Sequence, residues 1–250
     1  MRAQGKIFSE RLYKQIQTSN EIWPVGIINI TPDSFSDGGK YLTEKAWLKQ
    51  AEKLLKGGAK ILDIGACSTR PGSRPPSIDD ELFNLIPAIQ SIIKKFPKVI
   101  ISADTYRSQV AKEAAQFGAV IINDVGGGTL DDKMLETVAK LDVIYICGHI
   151  QGTPETMQQN PHYDDVVVEV IEFWEDKKKQ LAMLDMQSTE DRQELDQSLS
   201  AKQKVYKAQL DNLPHGNRLI KHYQRYRELF PSVTGVIAPE HCGDVALIDV

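Results

Sequence analysis

The stretch VIISADTYRSQVAKEAAQFGAVIIND, residues 99–124, decides the fold. It begins with a short, β-branched apolar run and ends with a second one. Between them, Val110, Ala114 and Ala115 share one face of a helical repeat. Near-continuous apolar runs of this length are typical of strands buried on both faces of a parallel sheet. The stretch therefore predicts a strand, a helix and a second, parallel strand.

The same rhythm recurs along the first 175 residues. Five strand-like runs share this apolar, β-branched character: Val25–Ile30, Lys60–Gly65, Val99–Asp104, Ala119–Asp124 and Val143–Gly148. The segments between them carry apolar residues at helical spacing, and Ser77 with Asp80 predicts the capped start of one helix. Strands that alternate with helices fit either a doubly wound sheet or a (β/α)8 barrel.

Polar residues at the strand ends favour the barrel. Asn29, Asp63, Asp104 and Asn123 lie at or near the C-terminal ends of four different strands. In a barrel, such residues converge on one mouth, where the functional site lies. No Gly-x-Gly-x-x-Gly loop follows the first strand, which argues against a dinucleotide-binding fold. The sequence predicts an α/β fold of the TIM (β/α)8-barrel type that is incomplete or irregular after the fifth βα unit.

The regular pattern ends near residue 175. We expect a single domain over residues 1–250, with an extension at 1–21, regular βα units at 22–174 and a divergent part at 175–250. Residues 175–213 are rich in Lys, Gln, Asp and Glu, which predicts a charged, solvated helix or a partly ordered insertion. Strand-like runs return only at 232–238 and 244–250, where the earlier spacing would give three strands.

Composition excludes several classes of function. The net charge of −4 over 250 residues gives no reason to expect a nucleic-acid partner. No apolar run approaches the ~20 residues of a membrane-spanning helix, and the start lacks the order of a secretory signal. The three cysteines have unrelated spacings that suggest neither a disulfide framework nor a zinc cluster. These features favour the cytoplasm.

One loop and two strand ends carry the candidate chemistry. The loop after the second strand offers Ser68, Thr69 and Arg70, a set that suits an oxyanion such as phosphate, although its arginines could simply be solvated. Asp104 beside Asn123 could read the donor and acceptor edge of a heterocycle, or could cap the neighbouring strands.

Several motifs resemble those of the dihydropteroate synthase family. Gly26–Gly39 is similar to the first signature of that family, and Asp63–Gly72 is similar to its second. Ser102–Thr105 and Ile122–Asp124 stand at the expected third and fourth strand ends, and His149–Gln158 is similar again. The resemblance covers about residues 22–174.

The resemblance implies a TIM barrel that condenses a dihydropterin-methyl pyrophosphate with p-aminobenzoate, with Mg2+ as the cofactor and a homodimer as the assembly. It implies a role for each matching residue. Asn29 would help to hold the metal and the pyrophosphate, Arg70 would contact the pyrophosphate, and Ser68 and Thr69 would bind substrate from the second loop. Asp104 and Asn123 would hydrogen-bond the pterin ring, and Asp63 would support the same pocket and its chemistry.

The C-terminal third departs from the family pattern. The family's Asp-Pro-Gly, Ser-Arg-Lys and Arg-x-His motifs do not occur where residues 213–218, 236–241 and 246–250 stand, and Cys67 replaces the usual Glu of the second signature. Two alternatives to an active synthase therefore stay open. One is a related pterin-binding protein without activity, with a degenerate or chimeric C-terminal third. The other is a pterin-dependent methyltransferase domain.

Overall fold

The computed structural model describes residues 2–19, 22–30, 44–67 and 75–185, and the short pairs 234–235 and 247–248. The chain divides into two compact units, Met1–Pro161 and His162–Val250. The sequence-based expectation of one domain stays a prediction. No helix among the described residues is long and apolar enough to cross a membrane.

The first unit alternates strands with helices after one N-terminal helix. Its elements are α1 (Arg2–Thr18), β1 (Val25–Asn29), α2 (Glu44–Lys56), β2 (Ile61–Gly65), α3 (Ile78–Lys95), β3 (Ile100–Asp104), α4 (Ser108–Gln116), β4 (Ile121–Asp124), α5 (Met134–Ala139) and β5 (Ile144–Cys147). All five predicted strands are present, each within one or two residues of the predicted bounds.

The strand order identifies the type of α/β fold. The five strands form one parallel sheet in the order β1-β2-β3-β4-β5, so each strand pairs with the next one along the chain. Helices α2 to α5 pack against one another in sequence, and α2, α3 and α4 contact β1, β2 and β4. A doubly wound sheet reverses its strand order and places helices on both faces. The singly wound order observed here is that of a TIM-type barrel, as the strand-end residues predicted.

The core lies between the sheet and these helices. Ile28, Leu62, Ile64 and Ile122 on the sheet are at most 1% exposed, and the α3 stripe contributes Leu85, Ile89 and Ile92, also fully buried. Burying each such side chain stabilises the fold by about 1.5–3 kcal/mol. At β1 the opposite face of the sheet is open, because Val25 and Ile27 alternate with the buried positions and remain 48% and 60% exposed.

The second unit differs from the barrel pattern. Helix α6 (Val166–Asp185) continues past residue 175, where the sequence pattern changes. Two short strands follow, β6 (Thr234–Gly235) and β7 (Leu247–Ile248), within the two runs that the sequence predicted. They pair with each other in antiparallel fashion, so they do not continue the parallel ladder of β1 to β5. The other predictions for residues 186–250 lie outside the described residues.

Helix caps join consecutive βα units. The predicted cap of α3 is confirmed, since Ser77 Oγ accepts a hydrogen bond of 3.1 Å from the backbone N of Asp80. The start of α4 has no cap from its own N-cap residue, Arg107. Instead, Asp131 from the loop after β4 accepts from the backbone N of Ser108 at 2.7 Å and from the backbone N of Lys133 at 2.9 Å. One carboxylate therefore fixes the beginnings of two successive helical segments.

Replacing Asp131 with Ala should lower the free energy of unfolding by about 1–2 kcal/mol, because two backbone donors lose their acceptor. Burial alone would raise the pKa of Asp131, but the hydrogen bonds from Ser108 and Lys133 outweigh it and hold the pKa below its usual range. The loss should therefore be largest at neutral pH and shrink in acid, as the wild-type carboxylate protonates. Urea unfolding at several pH values measures it, with the exposed neighbour Asp132→Ala as the control. Equal stability of the two variants would contradict the capping role.

Candidate active site

Parallel pairing places the predicted polar residues in one row at the C-terminal edge of the sheet. Asn29 on β1 pairs with Gly65 on β2, Gly65 pairs with Asp104 on β3, and Asp104 pairs with Asn123 on β4. Residues in register on neighbouring parallel strands point to the same face. Asn29, Asp104 and Asn123 therefore share the face opposite the helices, which is the interior face of a barrel.

Gly65 makes room for the Asp104 carboxylate. A Cβ atom on Gly65 would lie 3.0 Å from Asp104 Oδ2 and 3.3 Å from Asp104 Cβ. The absence of a side chain at Gly65 thus leaves the space that the Asp104 carboxylate occupies.

Asp63 lies two residues before Gly65, on the same face, and it fixes the orientation of Asn123. Asn123 Nδ2 donates to Asp63 Oδ2 at 3.0 Å, a contact that crosses β3. Because the Nδ2 amide group is held by a carboxylate, the Oδ1 atom of Asn123 is left to accept a hydrogen bond from a ligand. Asp63 and Asn123 therefore contact each other on this face, and their predicted contacts with a ligand stay predictions.

Two buried polar atoms beneath the row make no hydrogen bond of full geometry to the described residues. They are Asp63 Oδ1 and the hydroxyl oxygen of Ser102, which is the register neighbour of Asp63 on β3. Asp63 is 8% exposed and Ser102 is 1% exposed. Burial raises the pKa of Asp63, and its interactions with the Ser102 hydroxyl and the Asn123 amide oppose that rise. Buried polar atoms in native proteins are nearly always satisfied, so this part of the site is suited to a polar ligand or a water molecule.

Asp104 is the most strongly perturbed carboxyl group of the row. Burial raises its pKa to about 8, and the negative charges of Asp63, Glu81 and Asp124 add to the rise. At neutral pH the group is therefore largely protonated and can donate a hydrogen bond as well as accept one. A neutral carboxylic acid next to the Asn123 carbonyl oxygen presents one donor and one acceptor side by side, the pattern that recognises a heterocycle edge.

The turn after β4 is built around a second buried aspartate. The Asp124 carboxylate accepts from the backbone N of Gly126 at 2.9 Å, from the backbone N of Gly128 at 2.7 Å and from the hydroxyl of Tyr145 at 2.7 Å. Burial raises the pKa of Asp124, and these donors oppose it. Asp124 is thus committed to the turn, which leaves Asn123 as the strand-end residue that faces the pocket.

Sequence reasoning assigned no role to three residues beside the row. Glu81 on α3, Thr105 directly after Asp104, and Arg107 form one buried hydrogen-bonded cluster. The available signal was the position of Glu81, since it falls on the helical stripe that continues through Leu85 and Ile89 and is otherwise apolar. A lone carboxylate on such a stripe requires a partner.

Other predicted site residues lie outside the described residues. These are Ser68, Thr69 and Arg70, so their predicted contacts with an oxyanion stay predictions. Cys67, which precedes them, is buried, and its sulfur lies 3.7 Å from the Tyr106 hydroxyl. Burial raises the pKa of the Cys67 thiol, so the residue behaves here as a small packing group and not as a thiolate.

The described residues also limit what kind of metal site is possible. In the described part of the chain, no group of three or more His, Cys, Asp or Glu residues could hold a metal ion. Asn29 offers one exposed amide at the strand edge. Mg2+ is commonly held by one or two protein oxygens together with substrate phosphates and water. A single Asn29 oxygen therefore fits Mg2+ that arrives with a phosphorylated ligand and does not fit a structural metal site.

Together, the singly wound sheet and the polar row at its C-terminal edge define a barrel-type protein with a small-molecule site at the strand ends. A family model described as "Pterin binding enzyme" matches residues 25–196. The chain belongs to this family of pterin-binding enzymes.

Named relatives share this part of the chain. The mitochondrial folate synthesis bifunctional protein of Pisum sativum is 42% identical over 176 residues, which are 66% of this chain and 34% of the relative. Dihydropteroate synthase of Synechocystis is 41% identical over 150 residues, which are 60% of this chain and 52% of the relative. Xanthomonas albilineans dihydropteroate synthase, solved with 4-aminobenzoic acid, aligns with a TM-score of 0.59 at 36% identity, covering 67% of this chain and 59% of that one. The match thus spans about half of the Synechocystis enzyme and a third of the pea protein.

Replacing Asp104 with Asn should make the folded chain more stable than wild type at alkaline pH. The wild-type pKa of about 8 lies above the ordinary value of 3.8, so the folded state holds a proton that the unfolded state releases. Wild-type stability therefore falls as the pH rises through this window, whereas an amide does not titrate. Calorimetric melting of both proteins at about pH 5, 7 and 8.5 should show a difference that grows by several degrees toward high pH. The exposed Asp132→Asn serves as the control, and a pH-independent difference for Asp104→Asn would refute the raised pKa.

Proposed function

We propose that this protein acts as a dihydropteroate synthase. In that reaction the arylamine of p-aminobenzoate attacks the methylene carbon of a dihydropterin-methyl pyrophosphate. The carbon–oxygen bond to pyrophosphate breaks, a carbon–nitrogen bond forms, and the amine proton leaves. The observation that carries the proposal is the interior row in which Asp104 and an Asn123 oriented by Asp63 stand side by side. The similarity to dihydropteroate synthases over the same residues supports it.

The row is suited to hold the pterin ring. A pterin edge carries ring nitrogens, a carbonyl and an amino group, so it offers donors and acceptors close together. Asn123 Oδ1 accepts from a ring N–H, because its Nδ2 is bound to Asp63. Asp104, neutral at pH 7, donates to a ring nitrogen or accepts from the amino group. Held in this way, the ring presents its methylene group to the mouth of the site, and such fixed positioning lowers the entropic part of the barrier.

The leaving group requires positive charge. Acidic side chains surround this part of the site, with Asp63 and Asp124 near the largely protonated Asp104, and the nearby Arg107 is bound to Glu81. We propose that Arg70 contacts the pyrophosphate, with Ser68 and Thr69 as further hydrogen-bond donors. Asn29 would hold Mg2+ at the edge of β1. When bound, Mg2+ stabilises the negative charge that builds on the departing pyrophosphate.

The first test of the function is to incubate the purified chain with the pterin pyrophosphate, p-aminobenzoate and Mg2+, and to assay for dihydropteroate. The Asp63→Ala variant should lose about 10–100-fold in kcat/KM, because the Asn123 amide loses the acceptor that orients it. The control Asp132→Ala should match wild type. Turnover that does not depend on Asp63 would refute the assigned pocket.

Metal removal distinguishes recognition of the pyrophosphate from recognition of the pterin ring. Chelation with EDTA should abolish turnover, since the pyrophosphate charge is no longer neutralised. Binding of 6-hydroxymethyl-dihydropterin, which lacks the pyrophosphate, should be unchanged in calorimetric titration. If chelation weakened the binding of 6-hydroxymethyl-dihydropterin as strongly as it lowered turnover, the metal would be structural. Asn29 would then not hold a metal ion that arrives with the substrate.

A pterin-binding protein without synthase activity is the second candidate. It is favoured by one observation: the match covers about half of a curated synthase, and the last three family motifs do not occur in the sequence. In that case the chain would bind the pterin pyrophosphate and form no dihydropteroate. The assay described above distinguishes the two functions, because binding and turnover are measured separately.

Two further expectations stay predictions. We propose a homodimer and a cytoplasmic location, and both rest on the sequence. Sedimentation velocity of the purified chain tests the dimer, and fractionation of the source cells tests the location.

A further inference from the structure

A buried ion pair lies directly behind the polar row. The Glu81 side chain on α3 is fully buried, and both of its carboxylate oxygens accept hydrogen bonds. Thr105 Oγ1 donates to Oε1 at 2.7 Å, and Arg107 Nη1 donates to Oε2 at 2.7 Å. Burial raises the pKa of Glu81, and the bonds from Thr105 and Arg107 oppose that rise.

Arg107 extends this cluster to the start of α3. Its Nη2 atom donates to the backbone carbonyl of Pro76 at 2.7 Å, and its backbone N donates to Thr105 Oγ1 at 3.2 Å. The Arg107 side chain is 16% exposed. A guanidinium group with two fixed partners in different directions acts as a rigid link. The cluster therefore connects Pro76, helix α3 and the turn between β3 and α4.

Thr105 connects the cluster to the pocket. It directly follows Asp104, and its backbone N donates to the carbonyl of Asn123 at 3.0 Å. Its hydroxyl is held by Glu81 on the other side. The peptide that carries Asp104 is thus held between Asn123 and Glu81, and a shift of Thr105 would move the Asp104 carboxyl relative to the Asn123 amide.

Stability alone gives a poor reason for such a cluster. A buried ion pair must offset the desolvation of both charges, and apolar residues of similar size often stabilise a protein equally well. A fully hydrogen-bonded pair does fix the positions of its side chains. Here those side chains lie next to Asp104 and Asn123, the two residues that contact the ligand in the proposed function.

We propose that Glu81, Thr105 and Arg107 are positioning residues that hold the Asp104 carboxyl in register with Asn123 for recognition of the pterin ring. This inference rests on the proposed function and adds residues to the same site. The three residues act through Asp104 and Asn123 and do not touch the substrate. Their loss should therefore weaken recognition of the pterin and leave the use of p-aminobenzoate unchanged.

The test replaces the Thr105 hydroxyl while keeping the shape of the side chain. Thr105→Val should raise KM for the pterin pyrophosphate and Kd for 6-hydroxymethyl-dihydropterin by about tenfold or more, because a displaced Asp104 misses its partner atoms. KM for p-aminobenzoate should not change. Thr105→Ser, which keeps the hydroxyl, should restore wild-type values, an outcome that a loss of bulk packing would not produce.

Controls separate this inference from folding defects and from failure of the function itself. Circular dichroism melting establishes that each variant is folded, and Lys140→Met, which breaks an exposed ion pair with Glu136, should leave all constants unchanged.

If Thr105→Val does not fold, Arg107→Lys tests the same link, since a lysine keeps the charge but cannot bridge Glu81 and Pro76 at once. It too should raise KM for the pterin pyrophosphate and leave KM for p-aminobenzoate unchanged. If wild type binds the pterin and folded Thr105→Val or Arg107→Lys binds it equally well, the inference is wrong. If wild type itself binds no pterin, the proposed function is wrong and the inference falls with it.

Discussion

One hydrogen bond, from Asn123 Nδ2 to Asp63 Oδ2, joins β2 to β4 across the strand between them. In a flat sheet, strands two positions apart are separated by roughly 9–10 Å, too far for two short side chains to meet at 3.0 Å without help from curvature. The contact therefore indicates a sheet that curves toward its polar face, while α2, α3 and α4 pack against the other face. The recognition chemistry of the site is thus a consequence of the singly wound topology.

That topology could be predicted in large part from the sequence, because its signals are local. Buried parallel strands are short apolar runs, and a polar residue that ends such a run is visible as an exception. Asn29, Asp63, Asp104 and Asn123 were found for this reason, and parallel register then placed them together. The hydrogen bonds within the site could not be predicted, because they join residues that are distant in the sequence. Nothing near Glu81 in the sequence identifies Thr105 and Arg107 as its partners. Likewise, the orientation of the Asn123 amide is set by a residue sixty positions earlier.

The strand-like runs near the C-terminus show a different limit of prediction from sequence. Apolar, β-branched stretches near residues 234 and 247 predict strands, and strands are present there. However, direction of pairing is not encoded in such short runs. Two strands joined in antiparallel fashion can satisfy each other locally, whereas a parallel strand requires a neighbour from another βα unit. The antiparallel pair of β6 and β7 is the local solution.

The cap that Asp131 provides to α4 bears on how the chain acquires its structure during synthesis. The first turn of α4 is completed by a residue of the following unit, and β3 is joined to β4 through Thr105 in the same forward direction. The β3–α4 unit is therefore finished only after the next unit has emerged from the ribosome, so its maturation should lag elongation by about one repeat. A nascent chain released before Asp131 would leave a frayed helix and an unfinished pocket wall, the kind of partly ordered surface that chaperones and proteases recognise.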